Sequence, residues 1–128
     1  MERLKNWTRL LHIEMIEEVK GGNQSFEVLF TMKDQSRYKL IFNYVWDLRW
    51  SVENGYIDRF CEFRKNLPDN LIENSIYIVE NSKYIKYFTS QISGTLPIHK
   101  LVNYLLCDET DTVMEILSNE EPALVKIN

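Results

Sequence analysis

Tyr38-Lys39-Leu40-Ile41-Phe42-Asn43-Tyr44-Val45-Trp46-Asp47-Leu48-Arg49-Trp50-Ser51-Val52 is the stretch that decides the fold class. Its even positions are all apolar or aromatic and its odd positions mostly polar, the period-two alternation of a strand with one buried face. At ~3.3 Å per residue an unbroken strand of this length would reach about 50 Å, too long for a small domain, so a bulge or bend must interrupt it. The ringed ladder is large throughout and predicts a filled interior.

Working outward, Phe26, Val28, Phe30 and Met32 alternate in the same way, and Asp34-Gln35-Ser36 is a short turn that joins the two strands as an antiparallel pair. Leu11, Ile13, Met15 and Val19 suit a strand over residues 9–19 that leads through Gly21-Gly22 into a meander; a helix ending at Lys20 is the competing reading. Asn54-Gly55 favours a type I′ hairpin turn. It would set Val52 opposite Ile57, Trp50 opposite Arg59, Leu48 opposite Cys61 and Trp46 opposite Phe63, with a Trp50–Arg59 cation–π contact. A helix over 56–64, capped by Asn54, competes with it.

After a turn at Leu67-Pro68-Asp69-Asn70, residues 76–79 read as a short strand. Asn81 or Ser82 then caps a helix with Ile85, Phe88 and Ile92 on one face, ended by Gly94 and Pro97. Residues 98–107 are apolar on both parities, as in a central strand covered on both sides. Asp108-Glu109-Thr110-Asp111 is a turn into Val113–Leu117, and Ala123, Val125 and Ile127 mark a last strand. The expectation is one α+β domain over residues 1–128. It is mainly antiparallel sheet, in meander and hairpins, with one or two helices packed on it.

With 128 residues, 45% hydrophobic and 27% charged, the chain is sized for one core and is no disordered tail. Fifteen basic against 19 acidic side chains lower the expectation of nucleic-acid binding, which needs a basic face. From Leu101 onward Lys126 stands alone against Asp108, Glu109, Asp111, Glu115, Glu120 and Glu121, which favours a cationic partner. No apolar run is long enough for a membrane span, and Met1–Lys5 has no apolar stretch behind it, so the expected location is cytoplasmic. Cys61 and Cys107 form no CxxC pair and read as reduced core residues.

No catalytic, metal or cofactor motif is present. His12 and His99 have no partner at ligand spacing, and the Asp108–Asp111 acids lack the further oxygens, glycine and distal glutamate of a calcium loop. Lys83–Phe88 interleaves lysines with aromatics but at helical spacing, as an amphipathic helix does. The row Asp47, Arg49, Ser51, Glu53 opposite the aromatic rungs has the make-up of a recognition surface. The expected function is a non-enzymatic protein-binding module using Asp108, Glu109, Asp111, Glu115, Asp47, Arg49 and Glu53, without cofactor. The alternative is a small-ligand-binding or enzymatic α+β domain with an aromatic-lined pocket and His12 or His99 as its acid–base group.

The acidic single-domain make-up, with the strand-rich pattern from Tyr38 through Asn54-Gly55-Tyr56 to the strand–helix unit of residues 75–88, resembles small bacterial cytosolic proteins, among them immunity proteins of polymorphic toxin systems. The resemblance implies an inhibitor that covers the active site of a cationic toxin, such as a nuclease, with carboxylates. Asp108, Glu109, Asp111 and Glu115 would supply them.

Overall fold

A computed structural model describes residues 1–9, 11–65, 74–92 and 100–127, with backbone alone for residues 64 and 65. The expected turn at 67–70, the helix stop at Gly94 and Pro97, and His99 lie outside the described residues. Among the described residues, nine strands form two antiparallel sheets. The first orders β1 (Arg3–Asn6), β6 (Ile76–Glu80), β7 (Val102–Cys107), β8 (Thr112–Ser118) and β5 (Asp47–Val52) side by side. The second orders β2 (Ile13–Lys20), β3 (Phe26–Met32), β4 (Arg37–Phe42) and β9 (Ala123–Lys126). Two helices, α1 (Ile57–Lys65) and α2 (Lys83–Gln91), complete the α+β fold.

Alternation builds the core between the sheets. Val28, Phe30, Leu40 and Phe42 point from one sheet onto Tyr104, Leu106, Met114 and Ile116 of the other, and all are buried. Phe42 meets Tyr104 edge-on, with ring centres 5.6 Å apart. The β2–β3–β4 meander is present, and Gly21 in its first turn takes φ +89°, where an added Cβ would lie 1.9 Å from the Ser25 carbonyl oxygen. The expected central strand is β7, the middle strand of the five-stranded sheet. The expected helix is α2, with the Ser82 hydroxyl accepting from the Ile85 amide at 3.0 Å.

Two expectations are corrected. The long alternating stretch is interrupted, as its length requires, but by a change of sheet and not by a bulge or bend within one strand: β4 ends at Phe42, residues 43–46 cross over, and β5 begins at Asp47 in the other sheet. Because β5 is an edge strand, the filled-ladder expectation fails at its far end, where Trp50 is 52% exposed and Val52 55%. The Asn54-Gly55 hairpin is also absent. Residues Glu53–Tyr56 make a single 3₁₀ turn into α1, and β5 pairs with β8 instead. Asp111 receives the Glu53 amide on both its main-chain oxygen and its carboxylate, at 3.0 Å each, which ends the strand there. Tyr56, Phe60 and Phe63 then fall on one helical face and pack on the outer side of the five-stranded sheet. Arg59 consequently stacks near Tyr56 and Phe63, not Trp50.

Candidate functional site

The polar chemistry of the chain gathers on the outer face of the five-stranded sheet, where α1 and α2 lie. Strand alternation sends Asn103, Leu105 and Cys107 of β7, and Val113, Glu115 and Leu117 of β8, to the side opposite the inter-sheet core. Asn103 and Glu115 are therefore buried polar residues in otherwise apolar strands, and each needs fixed partners. Glu115 Oε2 accepts from the Tyr56 hydroxyl at 2.7 Å and from Arg59 Nη1, and Oε1 accepts from Asn103 Nδ2 at 3.0 Å. Arg59 also binds Glu2 through Nε at 3.1 Å and Nη2 at 3.0 Å.

One guanidinium thus serves two buried carboxylates. The surplus negative charge is met by neutral donors: the Tyr56 hydroxyl, the Asn103 amide, and the Lys83 main-chain N–H, which gives 2.9 Å to Glu2 Oε2 at the start of α2. Burial works against the charge on Arg59, but its bonds to Glu115 and Glu2 outweigh it and raise its pKa. Asn103 Nδ2 also donates to Ser82 Oγ at 3.1 Å, which ties the cluster to the cap of α2. Turning the amide over would set its oxygen against Glu115, so Oδ1 is left as the one buried side-chain polar atom without a partner among the described residues.

Above this cluster is a recess of about 460 Å³, lined among others by Glu2, Arg49, Arg59, Lys83 and Tyr84. Arg49 lies 3.7 Å from the centre of the Tyr84 ring, and the Tyr84 hydroxyl donates to Asp47 at 2.7 Å. Lys83 reaches Glu62 across the helices at 3.5 Å. Both signs of charge are present and mostly bonded to each other, an arrangement that staples helices to a sheet.

A second recess, about 340 Å³, opens at the β7–β8 turn. Glu53, Asp108 and Asp111 line it together with Phe60, Tyr77 and Cys107. Asp108 is fixed: Oδ1 accepts from the amides of Thr110, Asp111 and Thr112 and from the Thr110 hydroxyl, and Oδ2 from the Ile16 amide at 2.9 Å. Burial opposes its charge, yet those bonds prevail and lower its pKa. Burial, reinforced by Glu53 and Asp108, pushes the Cys107 thiol up to about 12, which favours the thiol over the thiolate.

Of the seven residues singled out in the sequence, Glu53, Asp108 and Asp111 converge on this acidic hollow. Glu109 turns aside and pairs with Lys33 at 2.7 Å. Asp47 and Arg49 flank Tyr84 on the other side of the helix-bearing face. Glu115 lies beneath Arg59 with no exposed surface, so it cannot belong to an outer carboxylate rim. Arg59, Glu2, Tyr56 and Asn103 were not anticipated; the legible signal was a single polar residue inside each of the apolar runs of β7 and β8.

His12 is exposed just before β2 and lines neither recess. Among the described residues no group of three or more His, Cys, Asp and Glu is placed to hold a metal ion, and no helix is long and apolar enough to cross a membrane. No protein-family model, no curated protein and no solved structure matches the chain.

Proposed function

We propose that this chain is a non-enzymatic protein-binding module that receives a cationic side chain of its partner in the hollow at the β7–β8 turn. The observation that carries this reading is that Glu53, from the turn that follows β5, and Asp108 and Asp111, from the β7–β8 turn, line one recess together with Phe60 and Tyr77. A lysine or arginine entering there meets negative charge at the rim and aromatic surface beneath, the combination that anchors interface hot spots. Asp108 contributes charge without moving, because its own hydrogen bonds hold it, so little ordering is needed on binding. A basic protein is the matching partner class. Given the resemblance to immunity proteins, a cationic toxin such as a nuclease is the specific candidate.

The test is affinity measurement against the product of the adjacent reading frame, with wild type and the E53K/D111K double variant over a salt series. The reading expects affinity to fall steeply with salt and the variant to lose at least about tenfold, the size of one desolvated charge contact at an interface. Equal affinities with no salt dependence would refute it.

A further inference from the structure

We infer that two copies of this chain associate through the free edge of β5, joining their five-stranded sheets across a twofold axis. Among the described residues the sheets have four edge strands, and three of them are protected in the usual ways. β1 is four residues long and carries exposed Arg3 and Lys5; β9 is four residues long, preceded by Pro122 and ending in Lys126; β2 carries Glu14, Glu17, Glu18 and Lys20 and has two register shifts against β3. β5 carries Asp47 and Arg49, but it is longer than β1 and β9, has no proline and shows no register shift. It pairs with β8 in unbroken register over six residues, with Trp50 and Val52 exposed.

The phase of that ladder shows which backbone groups are free. The bond from the Glu53 amide to the Asp111 carbonyl, with Val52 opposite Thr112, makes the odd-numbered residues those that face β8. Leu48, Trp50 and Val52 therefore turn their N–H and C=O groups outward; among the described residues the Val52 oxygen receives the Ser51 hydroxyl at 3.2 Å.

Charge selects the occupant. Among the described residues, Arg49 has no carboxylate partner and is held by the Tyr84 ring, and the Glu53 side chain has no cationic partner. An antiparallel pairing centred on Ser51 sets Arg49 of each copy opposite Glu53 of the other, and Trp50 opposite Val52, each twice. Four main-chain hydrogen bonds form between Trp50 and Val52 of the two copies. Arg49 of β5 and Glu53 at the start of the 3₁₀ turn that follows it thus supply both halves of a complementary contact, as an isologous interface requires.

Sedimentation of the full chain through the micromolar to sub-millimolar range tests this. Wild type is expected to approach twice the 15.3 kDa of one chain, W50K and E53R each to remain at that mass, and R49E/E53R to recover the dimer. With exposed Cys61 replaced by serine, S51C should oxidise to a covalent dimer, because a non-hydrogen-bonded pair brings the two Cα atoms to about 4.5 Å, within the span of a disulfide. A wild type that stays monomeric with no S51C cross-link overturns the inference, including the case in which this edge receives a strand of another protein. A dimer that persists in both W50K and E53R also overturns it.

Discussion

Arg59 grips Glu2 with two nitrogens at once, Nε to Oε1 at 3.1 Å and Nη2 to Oε2 at 3.0 Å, and so pins the start of the chain to α1. Its third nitrogen goes to Glu115, which has no exposed surface. Removing the cation while leaving both carboxylates is the costly change, because each is then buried with unbalanced charge. R59M is expected to lose about 3–5 kcal/mol in urea unfolding, a large share of the ~5–15 kcal/mol of an ordinary domain. E2L/R59M/E115L, which removes all three charges, should regain most of that loss. A loss below about 1 kcal/mol for R59M would mean that solvent reaches the cluster and screens it.

Tyrosine ionisation reports the same layer. Burial, and then the Glu115 carboxylate, raises Tyr56 far above an ordinary phenol; burial and the bond to Asp47 do so for Tyr84, and burial with Glu121 pushes Tyr104 up to about 12. Phenols of the unfolded chain ionise near ~10, so above that pH the unfolded state releases protons that the native state keeps. Stability from these groups is complete below pH ~10 and is lost as pH rises. In an alkaline absorbance titration at least three of the seven tyrosines should ionise late, together with loss of the fold. Seven ionising near pH ~10 with native circular dichroism intact would contradict this placement.

Strands inside a sheet were readable from sequence: Phe26–Met32 and the Arg37–Phe42 half of the long stretch by clean alternation, and Val102–Cys107 by being apolar on both parities. Ser82 as helix cap was readable too, since its chemistry is local. The change of sheet at residues 43–46 was not, because Tyr44 and Trp46 keep the parity of the ladder while the backbone crosses over. Asn54-Gly55 misled for a related reason. Both residues suit a tight turn, but whether β5 continues into a hairpin is decided by Asp111, 58 positions from Glu53, which captures the Glu53 amide. The site was legible in part. The acids at 108–111 announced a charged turn, whereas the meeting of Glu53 with them is long-range, and Glu115 resembles its surface neighbours in composition alone.

Asp108 joins the two sheets. Its Oδ2 receives the Ile16 amide of β2, while Oδ1 organises the turn between β7 and β8. D108A should cost about 1.5–3 kcal/mol, the range for hydrogen bonds to a charged acceptor, and should speed hydrogen exchange at Ile16. Because the native pKa of Asp108 is lowered, its contribution is present above the unfolded carboxylate range and lost as pH falls through the native value. Stability of the variant should therefore fall less steeply than wild type on acidification. Parallel acid curves would place the pH sensitivity elsewhere.

The two cysteines should separate cleanly in thiol labelling. Cys61 is exposed on α1, whereas Cys107 is partly buried on β7 with its thiol pushed up to about 12 by burial and the neighbouring Glu53 and Asp108. At mildly alkaline pH the native chain should react with one equivalent of a disulfide reagent, and the second thiol should appear only on unfolding in urea. This outcome bears on function, because Cys107 lines the acidic hollow. A thiol that stays protonated there is a wall of a binding recess. Rapid labelling of Cys107 in the folded chain would instead reveal a thiolate, and the hollow would have to be reconsidered as a nucleophilic site.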